Sequence, residues 1–229
     1  MALIHHIRAV PSRELISEFR ERLVNASWTD GKATAGTQSA QVKNNLQLDS
    51  DDLVANELSQ RVLSALSDSA QFFTAALPKR VYPPLFNRYG GAQNHFGNHI
   101  DNAIRTHPAT ARHLRTDLSF TLFLSDPNEY DGGELVLADC EPQNGYKLAA
   151  GDLLLYDSGT IHRVEPVTRG VRYASCSWVE SMIRGPQERE LLYQMDLAII
   201  HLREKVGDDP ALISMVGCYH NLLRRWADV

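Results

Sequence analysis

The chain predicts a mainly β protein with flanking helices: a double-stranded β-helix (jelly-roll, cupin-like) core, N-terminal helices and a C-terminal helical hairpin. Three observations predict it. From Ala76 to Trp178 short apolar runs are broken by Gly, Pro, Asp and Asn, the pattern of two facing sheets. Before that stretch, and again after Gly185-Pro186, apolar residues recur at helical spacing. With 229 residues and 43% hydrophobic content the chain can bury a full core. Residues 1–180 therefore read as one domain, helices packed on a jelly roll, and 181–229 as a helical extension.

Taken in order, Leu15, Ile16, Phe19 and Leu23 mark an amphipathic helix, and Leu53, Leu58, Val62 and Leu66 a second. Both should pad the outside of a sheet. In the β region Ser119, Thr121 and Phe123 alternate onto one face, aimed into the barrel. The stretch Tyr156 to Val164 holds an apolar run, a Ser-Gly turn and a second run, so two strands meet there and His162 opens the second. The segment Val171 to Trp178, rich in β-formers, is expected to pair antiparallel with the His162 strand. Trp178 shares the face of Arg172 and reads as a core plug in preference to a pocket wall.

After Gly185-Pro186, Leu191, Leu192, Met195, Ile199, Leu202 and Val206 form one stripe, and Leu212, Met215, Tyr219, Leu222 and Trp226 another. Asp209-Pro210 supplies a cap and first position between them. The apolar faces should pack on the barrel within the chain; a homo-oligomer through these helices is the competing arrangement.

A net charge of −5 with no basic run argues against nucleic acid as a partner. Cys140, Cys176 and Cys218 are far apart and form no Cys-x-x-Cys pair, which fits a reducing compartment. No stretch is apolar enough for a signal peptide near Met1 or a bilayer span later, so a cytoplasmic location away from membranes is expected.

The most informative residues are His99, Asp101 and His162. A His-x-Asp pair plus a distant His is the set that holds non-haem Fe(II) on one octahedral face and leaves three positions open. If Phe96 to Ala103 enters a strand, His99 and Asp101 point inward together and Ile100 outward. His95 and His99, four apart, would make a zinc pair on a helix, but the neighbouring glycines Gly90, Gly91 and Gly97 argue against that helix. His95 could contact substrate or orient a ligand. His5, His6, His107, His113, His201 and His220 read as surface or packing residues. Arg172, ten positions after His162, offers a planar, permanently charged fork suited to the far carboxylate of a dicarboxylate whose other end chelates the iron.

With these residues in place the chain resembles the 2-oxoglutarate/Fe(II) dioxygenase superfamily, and within it the prolyl-hydroxylase-like bacterial PKHD-type hydroxylases. The resemblance runs from Trp28-Thr29-Asp30-Gly31 and Val42-Lys43-Asn44-Asn45 through Leu85 to Gly91, His99 to Ala103, Gly132-Gly133-Glu134-Leu135, Gly151-Asp152-Leu153 and Tyr156 to Arg172 and Trp178. It implies that residues 1–180 are a dioxygenase domain in which His99, Asp101 and His162 bind iron, Arg172 and Tyr89 bind 2-oxoglutarate, and O2 takes the last position. It also implies decarboxylation to succinate and CO2, with ascorbate as reductant. Some relatives carry a cosubstrate-binding tyrosine where Phe123 stands, so contacts from that strand are in doubt. Related halogenases lack the carboxylate, so Asp101 argues for hydroxylation. The analogy suggests a peptidyl or amino-acid side chain as substrate, or a small molecule of iron uptake. From its own residues, the polar stretch Asn102 to Asp117 reads equally as a lid in which Arg105 and Arg112 offer positive charge to an acidic substrate or as a solvated loop. The competing functions are a non-catalytic iron and 2-oxoglutarate sensor acting through a protein partner, and a cupin-like metalloenzyme that has no use for Arg172.

Overall fold

The computed structural model describes residues 4–108, 110–138, 144–207 and 209–229. Its centre is two antiparallel sheets whose inner residues line a common cavity. In the larger sheet the strands run Ile4–Arg8, Asp152–Asp157, Leu118–Phe123, Arg172–Ser181, Leu85–Tyr89, Leu46–Leu48 and Trp28–Asp30, with Pro78–Val81 also pairing the Arg172–Ser181 strand. The smaller sheet runs Asn144–Tyr146, Leu135–Leu137, His162–Val164, His95–His99 and Lys43–Asn44. This is the jelly-roll arrangement that the broken apolar runs predict.

Period two sorts the Leu118–Phe123 strand into two faces. Phe120 and Leu122 join the core under the helices, while Ser119 and Thr121 line the cavity and Phe123 packs with Tyr89 and Tyr130 beside it. The helices Arg13–Val24 and Leu53–Ser67 lie over the outer face, burying Phe19, Leu23, Leu58 and Val62. Leu53 is different: it follows the Asp52 cap, stands 84% exposed and begins its helix outside the apolar stripe. A short helix Ala70–Ala76 and the edge strand Ile4–Arg8 complete this layer.

The pairing expected for Arg172 is not the one found. Its strand lies in the larger sheet, between Leu118–Phe123 and Leu85–Tyr89, whereas both edges of the His162 strand are taken by Leu135–Leu137 and His95–His99. The ten-residue strand Arg172–Ser181 is buried along nearly its whole length, which requires partners on both sides. The intervening Val167–Gly170 segment pairs with Tyr130–Gly132 and carries the chain from one sheet to the other. Likewise the Ser158-Gly159 turn joins strands of different sheets.

The helices Pro186–Val206 and Pro210–Trp226 form the hairpin, and Asp209 caps the second by accepting from the Ala211 N–H at 2.7 Å. Leu192, Ile199, Leu212 and Tyr219 bury themselves with Leu77 and Ile183. Leu191, Leu202, Val206 and Met215 stay exposed, so the buried stripe is narrower than the periodicity predicts. A single helical layer on a surface covers only one ridge. Arg189 is buried here too, donating from Nη1 to the carbonyls of Ile183 and Arg184. Cys176 and Cys218 are free thiols; Cys140 lies outside the described residues. Among the described residues no helix is long and apolar enough to cross a membrane.

Candidate active site

His99 ends its strand and His162 begins the neighbouring one, directly opposite in register, so backbone pairing alone brings the two imidazoles to a ring separation of 4.1 Å. Asp101 lies just past the strand end and not within it, and Ile100 is half exposed while also bordering the cavity. One ligand atom from each of the three side chains lies within 4.8 Å of the others. His162 Nε2 stands 3.8 Å from Asp101 Oδ2.

Each group is oriented from behind. His99 Nδ1–H donates to the Gly97 carbonyl at 2.8 Å and His162 Nδ1–H to the Thr160 carbonyl at 2.9 Å. A carbonyl only accepts, so both rings are fixed with a free lone pair on Nε2. Ser119 Oγ–H donates to Asp101 Oδ2 at 2.6 Å and is itself 2.8 Å from Ser158 Oγ. Phe96 stacks flat on the His99 ring at 3.6 Å. Burial, reinforced by the His162 ring, holds the His99 imidazole below its ordinary range and therefore neutral. Two imidazole nitrogens and one carboxylate converging on one cavity suit a first-row divalent ion with open positions.

Across the cavity, Arg172 is 1% exposed and lies opposite Tyr89 in register. Its guanidinium carbon is 5.1 Å from the rings of both Tyr89 and Phe123. Its Nε and Nη2 have no partner within the protein. A buried guanidinium with unused donors fits an incoming carboxylate, because leaving such donors unpaired is costly. Tyr89 is pushed up to about 12, chiefly by burial and against the pull of Arg172, so its phenol keeps its proton. Gly133 makes room for this arrangement: at φ +70, a Cβ there would lie 2.8 Å from Val167 and 3.1 Å from the Arg172 Cδ.

Comparison with known proteins decides the family. A PKHD-type hydroxylase of Nitrosomonas europaea is 51% identical over 219 residues, 96% of each chain, and one of Xanthomonas campestris is 53% identical over 216 residues, 93% of this chain and 94% of the other.

The chain belongs to the PKHD-type hydroxylase family.

Residues 84–180 match the model of the 2OG-Fe(II) oxygenase superfamily and residues 187–228 that of the PKHD-type hydroxylase C-terminal domain. This PKHD-type hydroxylase is accordingly an oxygenase that uses Fe(II) and 2-oxoglutarate. In fold it resembles a prolyl hydroxylase from Trichoplax adhaerens, solved with a hypoxia inducible factor peptide fragment, at TM-score 0.57, 17% identity and coverage of 82% of this chain and 86% of that one. A Pseudomonas putida prolyl-4-hydroxylase gives TM-score 0.52 at 16% identity, covering 79% of this chain and 94% of the other.

All five residues singled out in the sequence, His99, Asp101, His162, Arg172 and Tyr89, border one cavity. His95 is not among its lining residues; its Nδ1 lies 3.0 Å from Asn94 Oδ1 and 3.4 Å from Asn44 Nδ2. Trp178 is both core and pocket wall: it is buried with Leu85 and Leu114 and also lines the cavity, with the Arg105 guanidinium carbon 3.6 Å from its ring centroid. The Asn102 to Asp117 stretch contains a two-stranded ribbon, Ile104–Thr106 with His113–Arg115. Of the two lid arginines only Arg105 reaches the cavity; Arg112 is exposed outside its lining. Sequence reasoning gave no role to Lys43, Gln47 or Ser158. Lys43 stood inside the Val42-Lys43-Asn44-Asn45 motif, a signal that marked the segment without revealing which way the side chain points.

Proposed function

We propose that His99, Asp101 and His162 bind Fe(II), that Arg172 and Tyr89 hold 2-oxoglutarate, and that the enzyme hydroxylates a peptidyl or amino-acid side chain or a small molecule of iron uptake. The observation that carries this reading is one cavity holding three converging ligand atoms and a buried guanidinium with two unpaired nitrogens. Bound Fe(II) would supply the activation of O2, with 2-oxoglutarate oxidised to succinate and CO2 and ascorbate restoring iron lost to idle turnover.

The chain's own residues prepare that chemistry. The Gly97 and Thr160 carbonyls keep both imidazoles in the metal-binding tautomer, and Ser119 holds Asp101 by one oxygen. Arg172 neutralises the far carboxylate of the cosubstrate, and Tyr89, protonated throughout the neutral range, donates a hydrogen bond without adding charge. Phe96 shields one face of His99 from water. In this reading 1–180 is the oxygenase domain and 181–229 an extension packed on it through Leu192, Ile199, Leu212 and Tyr219.

The test is succinate formation by anaerobically iron-loaded protein given 2-oxoglutarate and O2, with Asp101→Ala alongside. Succinate from the native protein and none from the variant is expected. No succinate from either, with iron and 2-oxoglutarate measurably bound, would turn the reading toward a sensor.

A further inference from the structure

Beyond the residues assigned above, the cavity holds two more cations. Lys43, 7% exposed, directs its ammonium to the neutral oxygens of Gln47 at 3.0 Å and Thr34 at 3.1 Å, and lies 5.4 Å from the Phe96 ring. Arg105 is clasped between Trp178 and Tyr82, at 3.6 and 5.1 Å from their ring centroids. Among the described residues neither has a carboxylate within ion-pair distance, and Asp101 is the only acidic residue lining the cavity. Gln47, 2% exposed, uses its oxygen on Lys43 and Thr34, which leaves its Nε2 donor buried and unpaired at the cavity wall. The two cations feel each other: the charge of Arg105 adds to burial in depressing the Lys43 ammonium.

Charge accounting gives these groups a purpose. On the reading proposed above, a divalent ion, the Asp101 carboxylate, dianionic 2-oxoglutarate and the Arg172 guanidinium sum to zero. Two positive charges then remain, one of them the buried Lys43 ammonium, a costly arrangement unless a negative group joins them. Lys43 lies over the Phe96 ring and Arg105 over the Trp178 ring, whereas the rings beside the Arg172 guanidinium are those of Tyr89 and Phe123.

We propose that Lys43, Gln47 and Arg105 form a carboxylate-binding subsite on the substrate side of the cavity, so that the substrate carries a carboxylate alongside the C–H bond it presents for hydroxylation. Lys43 supplies a point charge, Arg105 a planar fork held flat by Trp178, and Gln47 a neutral donor that completes the set. The inference rests on the placement of 2-oxoglutarate at Arg172, and the test separates the two.

Anaerobic protein loaded with Fe(II) and 2-oxoglutarate is titrated calorimetrically with N-acetyl-L-proline and with N-acetyl-L-aspartate α-amide, each against its fully amidated form. The first probe presents a free terminal carboxylate and the second a side-chain carboxylate in a peptide-like frame, so the pair also tells which source the subsite prefers. At least one carboxylate should bind about tenfold or more tighter than its amide. Lys43→Met and Arg105→Gln should each erase that preference. Gln47→Glu, nearly isosteric, should abolish carboxylate binding by setting a like charge in the subsite. 2-Oxoglutarate binding is read separately during loading: Arg172→Met should weaken it while sparing the carboxylate preference. Equal binding of acid and amide overturns the proposal, as does a preference that survives Lys43→Met and Arg105→Gln, or no binding of either acid at about 10 mM. Loss of 2-oxoglutarate in Lys43→Met but not in Arg172→Met would instead move the cosubstrate to this subsite and overturn the placement at Arg172.

Discussion

The cavity has two cationic walls, and they are built differently. Around Arg172 the neighbours are aromatic: Tyr89 and Phe123 flank a guanidinium whose Nε and Nη2 are buried without a hydrogen-bond partner. Around Lys43 one ring, Phe96, lies alongside, and the ammonium already rests on the oxygens of Gln47 and Thr34. The first wall has its charge packed in place and leaves its donors for a single incoming group. The second shares its donors with the protein and can adjust. On the proposed reading, a cosubstrate that is the same in every turnover suits the wall at Arg172, and a substrate carboxylate suits the wall at Lys43.

The sharpest way to break this contrast is Arg172→Met. Removing a charge-assisted pair in a buried wall should cost about 2 to 4 kcal/mol of 2-oxoglutarate binding, roughly a thirtyfold to thousandfold rise in the concentration needed. A titration of succinate formation against 2-oxoglutarate reads it directly, and an unchanged requirement would remove Arg172 from the site. Ser119→Ala probes the metal side with a smaller effect. Its hydroxyl holds Asp101 Oδ2 at 2.6 Å, so Fe(II) affinity should fall about tenfold, in line with the loss of an outer hydrogen bond to a ligand. Anaerobic metal titration measures it; full affinity would mean that Asp101 is held well enough by its backbone.

What could be read in the sequence follows from the range of the interactions involved. His99, Asp101 and His162 were legible because few packing roles demand that combination, and strand parity was enough to aim Ser119 and Thr121 into the barrel. The sheet that holds Arg172 was not legible. Local β-propensity says that Val171 to Trp178 is a strand, but its partners, Leu85–Tyr89 and Leu118–Phe123, lie tens of residues away and are chosen by packing. Lys43 escaped for a related reason. Its strand, Lys43–Asn44, is two residues long, too short for any periodicity, and only its pairing with Phe96 turns the side chain inward. Trp178 looked like core because its burial is real; that Arg105 would stack on it depends on a ribbon folding back from residues 104–115.

The contrast between the walls also predicts a pH effect in the absence of any ligand. Burial, its largest cause, lowers the Lys43 ammonium from 10.5 to about 8. Below pH 8 the lysine is charged in both the folded and unfolded chains, so folding bears the full cost of burying it. Between pH 8 and 10.5 the unfolded chain still binds this proton while the folded one has released it, and the cost fades as pH rises. The interval corresponds to about 3 kcal/mol at roughly 1.4 kcal/mol per tenfold, an upper bound because the neutral amine also loses its support from Gln47 and Thr34 on substitution. Lys43→Met should therefore be more stable than the native chain at pH 7, by about 1 to 2 kcal/mol, and that advantage should shrink toward pH 10. Urea unfolding of both proteins at the two pH values tests it, since every other titrating group is common to the pair. A difference that does not change with pH would mean that the polar cradle already offsets the burial of the charge, and the second wall would need no anion to complete it.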